Sequence, residues 1–134
     1  MDVKELVDRF NLHVAAGQNN LDRQIQSGYC GDLLSDVMAN APGGCVWLTV
    51  QTHQNIVPVA VLHEMAAVIL TGGQEPDQET IEKANEAGIP ILMWPKSAFD
   101  FSLAIVRSFR FQQHKVVSAW SCNRLEKLRG IVLK

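Results

Sequence analysis

The segment from Ala66 to Trp94, AAVILTGGQEPDQETIEKANEAGIPILMW, leaves the chain few folds to choose from. A short apolar run, a Thr71-Gly72-Gly73 turn, an acidic stretch with helical spacing and a second apolar run follow one another, which is the pattern of a β-α-β unit. Runs that are apolar throughout, rather than alternating, predict strands covered on both faces. Open α/β sheets place ligands beyond the carboxyl ends of such strands. The glycine turn is therefore the first place to look for function. Two readings of it stay open: a ligand corner, or an ordinary exit from a strand, since glycine enters left-handed conformations at little steric cost. No G-x-x-x-x-G-K-[ST] pattern occurs and no lysine follows the turn to reach a phosphate, so a kinase or ATPase site is not expected.

The flanking sequence extends the alternation. Val3, Leu6, Val7 and Phe10 have helical spacing over residues 2–10, and Leu12–Ala16 reads as a strand ending at Gly17. Gln24–Cys30 reads as an edge or half-buried strand. Gly31-Asp32 opens a helix over 33–41 with Asp32 as its N-cap, and Pro42-Gly43-Gly44 stops it. Cys45–Val50 is a buried strand, and a helix over 56–65 tolerates Pro58 only in its first turn, with Asn55 at or beside its N-cap. In the helix after Pro76-Asp77, the spacing turns Ile81, Ala84 and Ala87 inward, and Gly88 ends it. Ile89–Trp94 is a further strand, after which Ser97 caps a helix through Ala98, Phe99, Leu103, Ala104 and Val106. Trp47 and Trp94 are expected in the core. The expected fold is α/β: a single domain with a mainly parallel central sheet flanked by helices.

At 134 residues and 47% hydrophobic content the chain has the size and composition of one globular domain. The opening MDVKELVDRF has no signal-peptide pattern and no apolar run reaches membrane-spanning length, so a cytoplasmic location and no membrane partner are expected. Cys30, Cys45 and Cys122 lack C-x-x-C spacing, and the four histidines fall in different elements. Free thiols, no metal and no cofactor are expected.

Charge is unevenly spread. Up to residue 105 acidic side chains outnumber basic ones, whereas 106–134 carries Arg107, Arg110, Lys115, Arg124, Lys127, Arg129 and Lys134 against Glu126 alone. The chain is therefore divided into an α/β domain over 1–109 and a basic tail over 110–134. The tail has two readings: phosphate neutralisation on a nucleic acid, or solvation and pairing with the acidic body. The second is preferred because the opposite charge is on the same chain.

If the strands before them are neighbours, the breaks Gln51–Asn55 and Thr71–Gly73 lie side by side. Gln51, Thr52, His53, Asn55, Thr71, Gly72 and Gly73 are then the candidate ligand-binding residues, with Gly31 and Asp32 as secondary candidates. An imidazole, amides, hydroxyls and glycine N–H groups suit an uncharged or anionic small ligand. His53 is the one acid-base candidate, and without a nucleophile or a paired carboxylate no catalysis is expected.

The Thr71-Gly72-Gly73 turn after a buried strand, followed by P-D-x-x-T-I-E-K-A-x-x-x-G-I-P-I-L, resembles the DRTGG domain family. The resemblance covers roughly residues 20–106 and takes in LDRQIQSGYCGDLLSDVMANA and CVWLTVQTHQNIVPVAVL. The acidic-basic pair for which the family is also named aligns with Thr52-His53, while Asp22-Arg23 spells the pair but lies too early. That departure removes a charge pair from the cleft. Members of this family stand at the amino terminus of HPr kinase/phosphorylase, beside CBS domains in pyrophosphatases, in phosphate acetyltransferases, and alone. The resemblance implies a non-catalytic regulatory or dimerisation role, a homodimer that Tyr29 and its extended segment would suit as an edge, a nucleotide or phosphorylated metabolite as ligand, and a possible partner enzyme. Alternatives are an HPr kinase-related accessory protein without kinase activity and a nucleic-acid binder acting through its tail.

Overall fold

The computed structural model describes residues 1–108. The basic segment 110–134 lies outside the described residues, and with it Trp120, Cys122 and the apolar runs Val116-Val117 and Ile131-Val132-Leu133, which read in the sequence as short strands.

Helix α1 (Val3–Phe10) opens the chain, capped by the Asp2 carboxylate, which accepts from the Glu5 N–H at 2.8 Å. After it come β1 (His13–Ala16), a 3-10 turn at Gln18–Asn20, and β2 (Ser27–Cys30). Helices and strands then alternate: α2 (Leu34–Asn40), β3 (Cys45–Thr49), α3 (Ile56–Leu62), β4 (Ala67–Leu70), α4 (Gln78–Ala87), β5 (Ile91–Met93) and α5 (Ala98–Ser108).

The five strands form one sheet in the order β1-β5-β4-β3-β2. β2 to β5 are parallel neighbours, and β1 runs antiparallel to β5. The sheet is thus mixed and mostly parallel. Because β2, β3, β4 and β5 step across it in one direction, crossovers of one hand must put their helices on one face. There Val37 of α2, Ile56 and Ala60 of α3 and Ala84 of α4 pack on Trp47, Val68, Leu70 and Ile91. Val3 and Leu6 of α1 and Phe101 and Ile105 of α5 pack on Val46, Leu48, Ile69 and Leu92 on the other face. Alternate residues of each strand feed opposite cores, which is why the strands are apolar throughout.

Several local expectations are corrected. Asp32 does not cap α2: Leu33 holds the N-cap position with no side-chain bond, and the Asp32 carboxylate is drawn across to β3. Asn55 does sit at the N-cap of α3, but its backbone is already helical and its side chain caps nothing. Pro58 is the third residue of α3, inside the first turn as expected. In α4 it is Thr80 that is buried beside Ala84, while Ala87 faces solvent. α5 contains the helix residues expected, with Phe99 and Leu103 exposed and the inward stripe formed by Phe101 and Ile105. The aromatic contacts account for the choice, since Phe101 meets Trp94 at 5.1 Å and Phe10 at 5.5 Å between ring centroids. Trp47 is fully buried as expected; Trp94, just past β5, is half-buried.

Candidate functional site

All four parallel strands end at the same edge of the sheet, so the loops that follow them share one rim: 31–33 after β2, 50–55 after β3, 71–77 after β4 and 94–97 after β5. β3 and β4 are neighbours, and the Thr71 N–H donates to the Thr49 carbonyl at 3.0 Å. The two breaks read from the sequence therefore lie side by side. β4 and β5 differ in where they lead: α4 goes to one face and α5 to the other. Diverging connections are where binding crevices open in α/β sheets, but here the β4 and β5 loops stay hydrogen-bonded to each other through the Gly72 and Gly73 N–H groups.

The β2 and β3 loops are joined by Asp32. Its carboxylate accepts from the Thr49 hydroxyl and the Val50 N–H, both at 2.9 Å, and its carbonyl accepts from the Gln51 side-chain amide at 2.9 Å. Gly31 donates its N–H to the Leu48 carbonyl and accepts the Trp47 indole N–H at 2.8 Å. Gly31, Asp32 and Gln51 are thus tied into the frame. Cys30, the exposed last residue of β2, has its thiol pKa raised, mainly by burial of the group and further by the Asp32 charge. A neutral thiol is a poor nucleophile.

Residues 51–55 form a tight entry to α3. The Thr52 carbonyl accepts twice from the α4 side, from the Thr80 hydroxyl at 2.7 Å and the Asp77 N–H at 3.2 Å. His53 is exposed; its Nδ1 accepts from the Asn55 N–H at 3.2 Å, so the neutral ring carries its proton on Nε2 as a free donor. The Asn55 side chain is exposed and makes no hydrogen bond among the described residues.

The glycine turn differs from the expected cradle of amides. Gly72 donates to the Lys96 carbonyl at 2.6 Å and Gly73 to the Trp94 carbonyl at 3.3 Å, so both N–H groups close the β4 loop onto the β5 loop. Both glycines have positive φ, +72° and +73°, and a Cβ on Gly72 would meet nothing within 4 Å. The turn offers open space rather than donors. Thr71 is buried, so its side chain is withdrawn from solvent.

Lys96 is the residue that sequence reasoning missed. No lysine follows the glycine turn in the chain, yet the β5 loop returns one to its side, and it is the only lysine or arginine in the four rim loops. The available signal was the β-α-β unit itself: if β4 and β5 are parallel neighbours, the residues just after Trp94 must stand beside those just after Leu70. No group of three or more His, Cys, Asp or Glu side chains that could hold a metal occurs among the described residues, and no helix there is long and apolar enough to cross a membrane.

The sequence profile of the DRTGG domain matches residues 5–108. The chain belongs to the DRTGG domain family. In this DRTGG domain Asp22-Arg23, which spells the family's letters, stands at the other end of the sheet: Arg23 donates to the Gly88 carbonyl at 3.3 Å, just before β5. A similar fold occurs in the crystal structure of the CBS and DRTGG domains of the regulatory region of a Clostridium perfringens pyrophosphatase, complexed with its activator diadenosine tetraphosphate. The two are 17% identical with a TM-score of 0.63, over 79% of this chain and 46% of that one. This DRTGG domain therefore spans less than half the length of that chain, and the likeness is one of fold. No curated protein matches the chain.

Proposed function

We propose that this DRTGG domain is a non-catalytic regulatory module that senses a small molecule, a nucleotide or a phosphorylated metabolite, at the rim beyond β3, β4 and β5. The observation that carries the reading is that two exposed, unengaged groups, the His53 Nε2 donor and the Asn55 amide, follow β3, while the neighbouring strand β4 ends in open space over Gly72. The pyrophosphatase regulatory region of similar fold was crystallised with a nucleotide activator, which supports the ligand class. The site residues are Gln51, Thr52, His53, Asn55, Thr71, Gly72 and Gly73, with Gly31 and Asp32 as the frame behind them.

A thermal-shift screen of adenine nucleotides and phosphorylated metabolites tests it, because a ligand of the native state raises its melting temperature with concentration. Loss of the shift in His53→Ala, with the unliganded melting temperature nearly unchanged because His53 is exposed, is the expected result. No shift with any compound would move the function to protein–protein contact alone.

That second reading has its own observation. Among the described residues β2 is a sheet edge, with sequence SGYC and no charge, proline or bulge, whereas the opposite edge, β1, carries a register irregularity between Val14 and Ala16. Unprotected edges pair with other strands. Beside β2 lie exposed Leu33 and Met38, at 68% and 48% exposure. A homodimer through β2 and α2 follows, in which Leu33→Lys with Met38→Glu should give a monomer by sedimentation at concentrations where the parent is dimeric. A partner enzyme, the output of such a module, would be found by co-purification from cells.

A further inference from the structure

The rim is chemically two-ended. On the β3 side stand two hydrogen-bonding groups, the His53 imidazole and the Asn55 amide, and on the β5 side stands Lys96, exposed and without a carboxylate partner among the described residues. β3 and β5 are separated by β4, hence by two strand spacings, about 10 Å. The Thr71-Gly72-Gly73 turn lies between them, and its only side chain, that of Thr71, is buried.

We propose that Lys96 is the phosphate-recognising group of this rim and that the ligand is a phosphate ester of a neutral hydrogen-bonding group, a nucleoside phosphate in chemical class, lying across Gly72. The inference rests on the sensing function proposed above and narrows it. A phosphate at a glycine turn is usually cradled by backbone amides, but here the Gly72 and Gly73 amides are spent on the Lys96 and Trp94 carbonyls. The positive charge must come from a side chain, and Lys96 is the only lysine or arginine in the four loops. The bond from Gly72 fixes the Lys96 backbone beside the turn, so its side chain starts from a defined point. The Asp32 carboxylate is spent on Thr49 and Val50 at the end of β3, two strands away from β5 and Lys96. Glu75 and Asp77 lie on the β4 loop and repel charge. They disfavour a ligand carrying many phosphates along that loop and favour one whose charge is concentrated at Lys96. The absence of a side chain at Gly72 leaves the span between the two ends clear.

The test is calorimetric titration of the full chain with adenosine monophosphate, adenosine and inorganic phosphate, each against the parent, Lys96→Met and Gly72→Ala. In the parent the monophosphate should bind at least about tenfold tighter than either fragment, because each fragment reaches only one end. Lys96→Met, at an exposed position, should fold as the parent does, lower monophosphate affinity about tenfold or more, and leave adenosine affinity unchanged. Gly72→Ala should weaken the monophosphate and adenosine alike. Equal monophosphate affinity in the parent and Lys96→Met would overturn the role of Lys96 while leaving the sensing function standing. Binding of none of the three, together with no ligand in the wider thermal-shift screen, would overturn both. A hit elsewhere in that screen that is unmoved by Lys96→Met would overturn this inference alone.

Discussion

Two glycines with nearly the same backbone angle separate strain from space. Gly17 has φ +73° and Gly72 φ +72°, so a side chain at either meets the same left-handed penalty, about 1 kcal/mol. At Gly72 that is the whole cost, since a Cβ would sit in open space. At Gly17 a Cβ would come within 2.6 Å of the Ile89 carbonyl oxygen and of Pro90, both backbone atoms that cannot swing aside. Gly72→Ala should therefore lose about 1 kcal/mol by urea unfolding and Gly17→Ala several times more. Equal losses would show that the loop at Gly17 yields. Cys45 gives a second residue-scale expectation, this time in pH. Burial pushes its thiol up to about 12 from an ordinary 9.0. The unfolded state ionises first, so the stability held by the neutral thiol is complete below about pH 9 and falls as pH rises towards 12. Its contribution to the slope reaches about 1.4 kcal/mol per pH unit. Cys45→Val should flatten that part of the alkaline stability profile, whatever it does to the absolute stability. The neighbourhood of the glycine turn was only half legible in the sequence: that the breaks after β3 and β4 lie side by side follows from neighbouring strands, whereas the place of Lys96 and the capture of the glycine amides depend on bonds between loops that no linear spacing displays.

Elements were legible where local chemistry had one answer. Ser97 caps α5 as its sequence suggests, accepting from the Asp100 N–H at 3.2 Å, and Gly88 ends α4 in the left-handed conformation. Where two answers were possible the sequence could not choose. α5 carries two apolar stripes, Phe99 with Leu103 and Phe101 with Ile105, each with a spacing of four, and only contact with Phe10 and Trp94 decides between them. Likewise Asp32 is a good N-cap by residue type, but the Thr49 hydroxyl and Val50 N–H at the end of β3 are better partners for it. That competition sets the expectation for the β2 and β3 loops. Asp32→Ala should cost about 1–2 kcal/mol through loss of two charge-assisted bonds at a partly solvated site, and raise amide exchange at Val50 and Gln51. Asp32→Asn keeps an acceptor and should cost less. A loss of helicity confined to α2 in either variant would instead mean that Asp32 acts as the helix cap after all.

At the scale of the molecule, one sheet serves two cores, and this governs how it comes apart. Along β3, Cys45 and Trp47 belong to the core under α2, α3 and α4, while Val46 and Leu48 belong to the core under α1 and α5. Neither layer of helices can leave without exposing a face of the same five residues, so the two cores should share one cooperative transition. The rim depends on this coupling, because its loops descend from strands held on both faces and the clasp from Gly72 to Lys96 joins a connection of one face to a connection of the other. Phe101 is fully buried in the aromatic contact with Phe10 and Trp94. Phe101→Ala should cost about 3–5 kcal/mol. If the molecule is one unit, amide protection should fall by the same free energy at Trp47 and Val68, which support the opposite core, as at Leu48 and Ile69, which support its own. Protection lost only around α1 and α5 would show two independently melting layers, and a rim whose two halves are held with unequal strength.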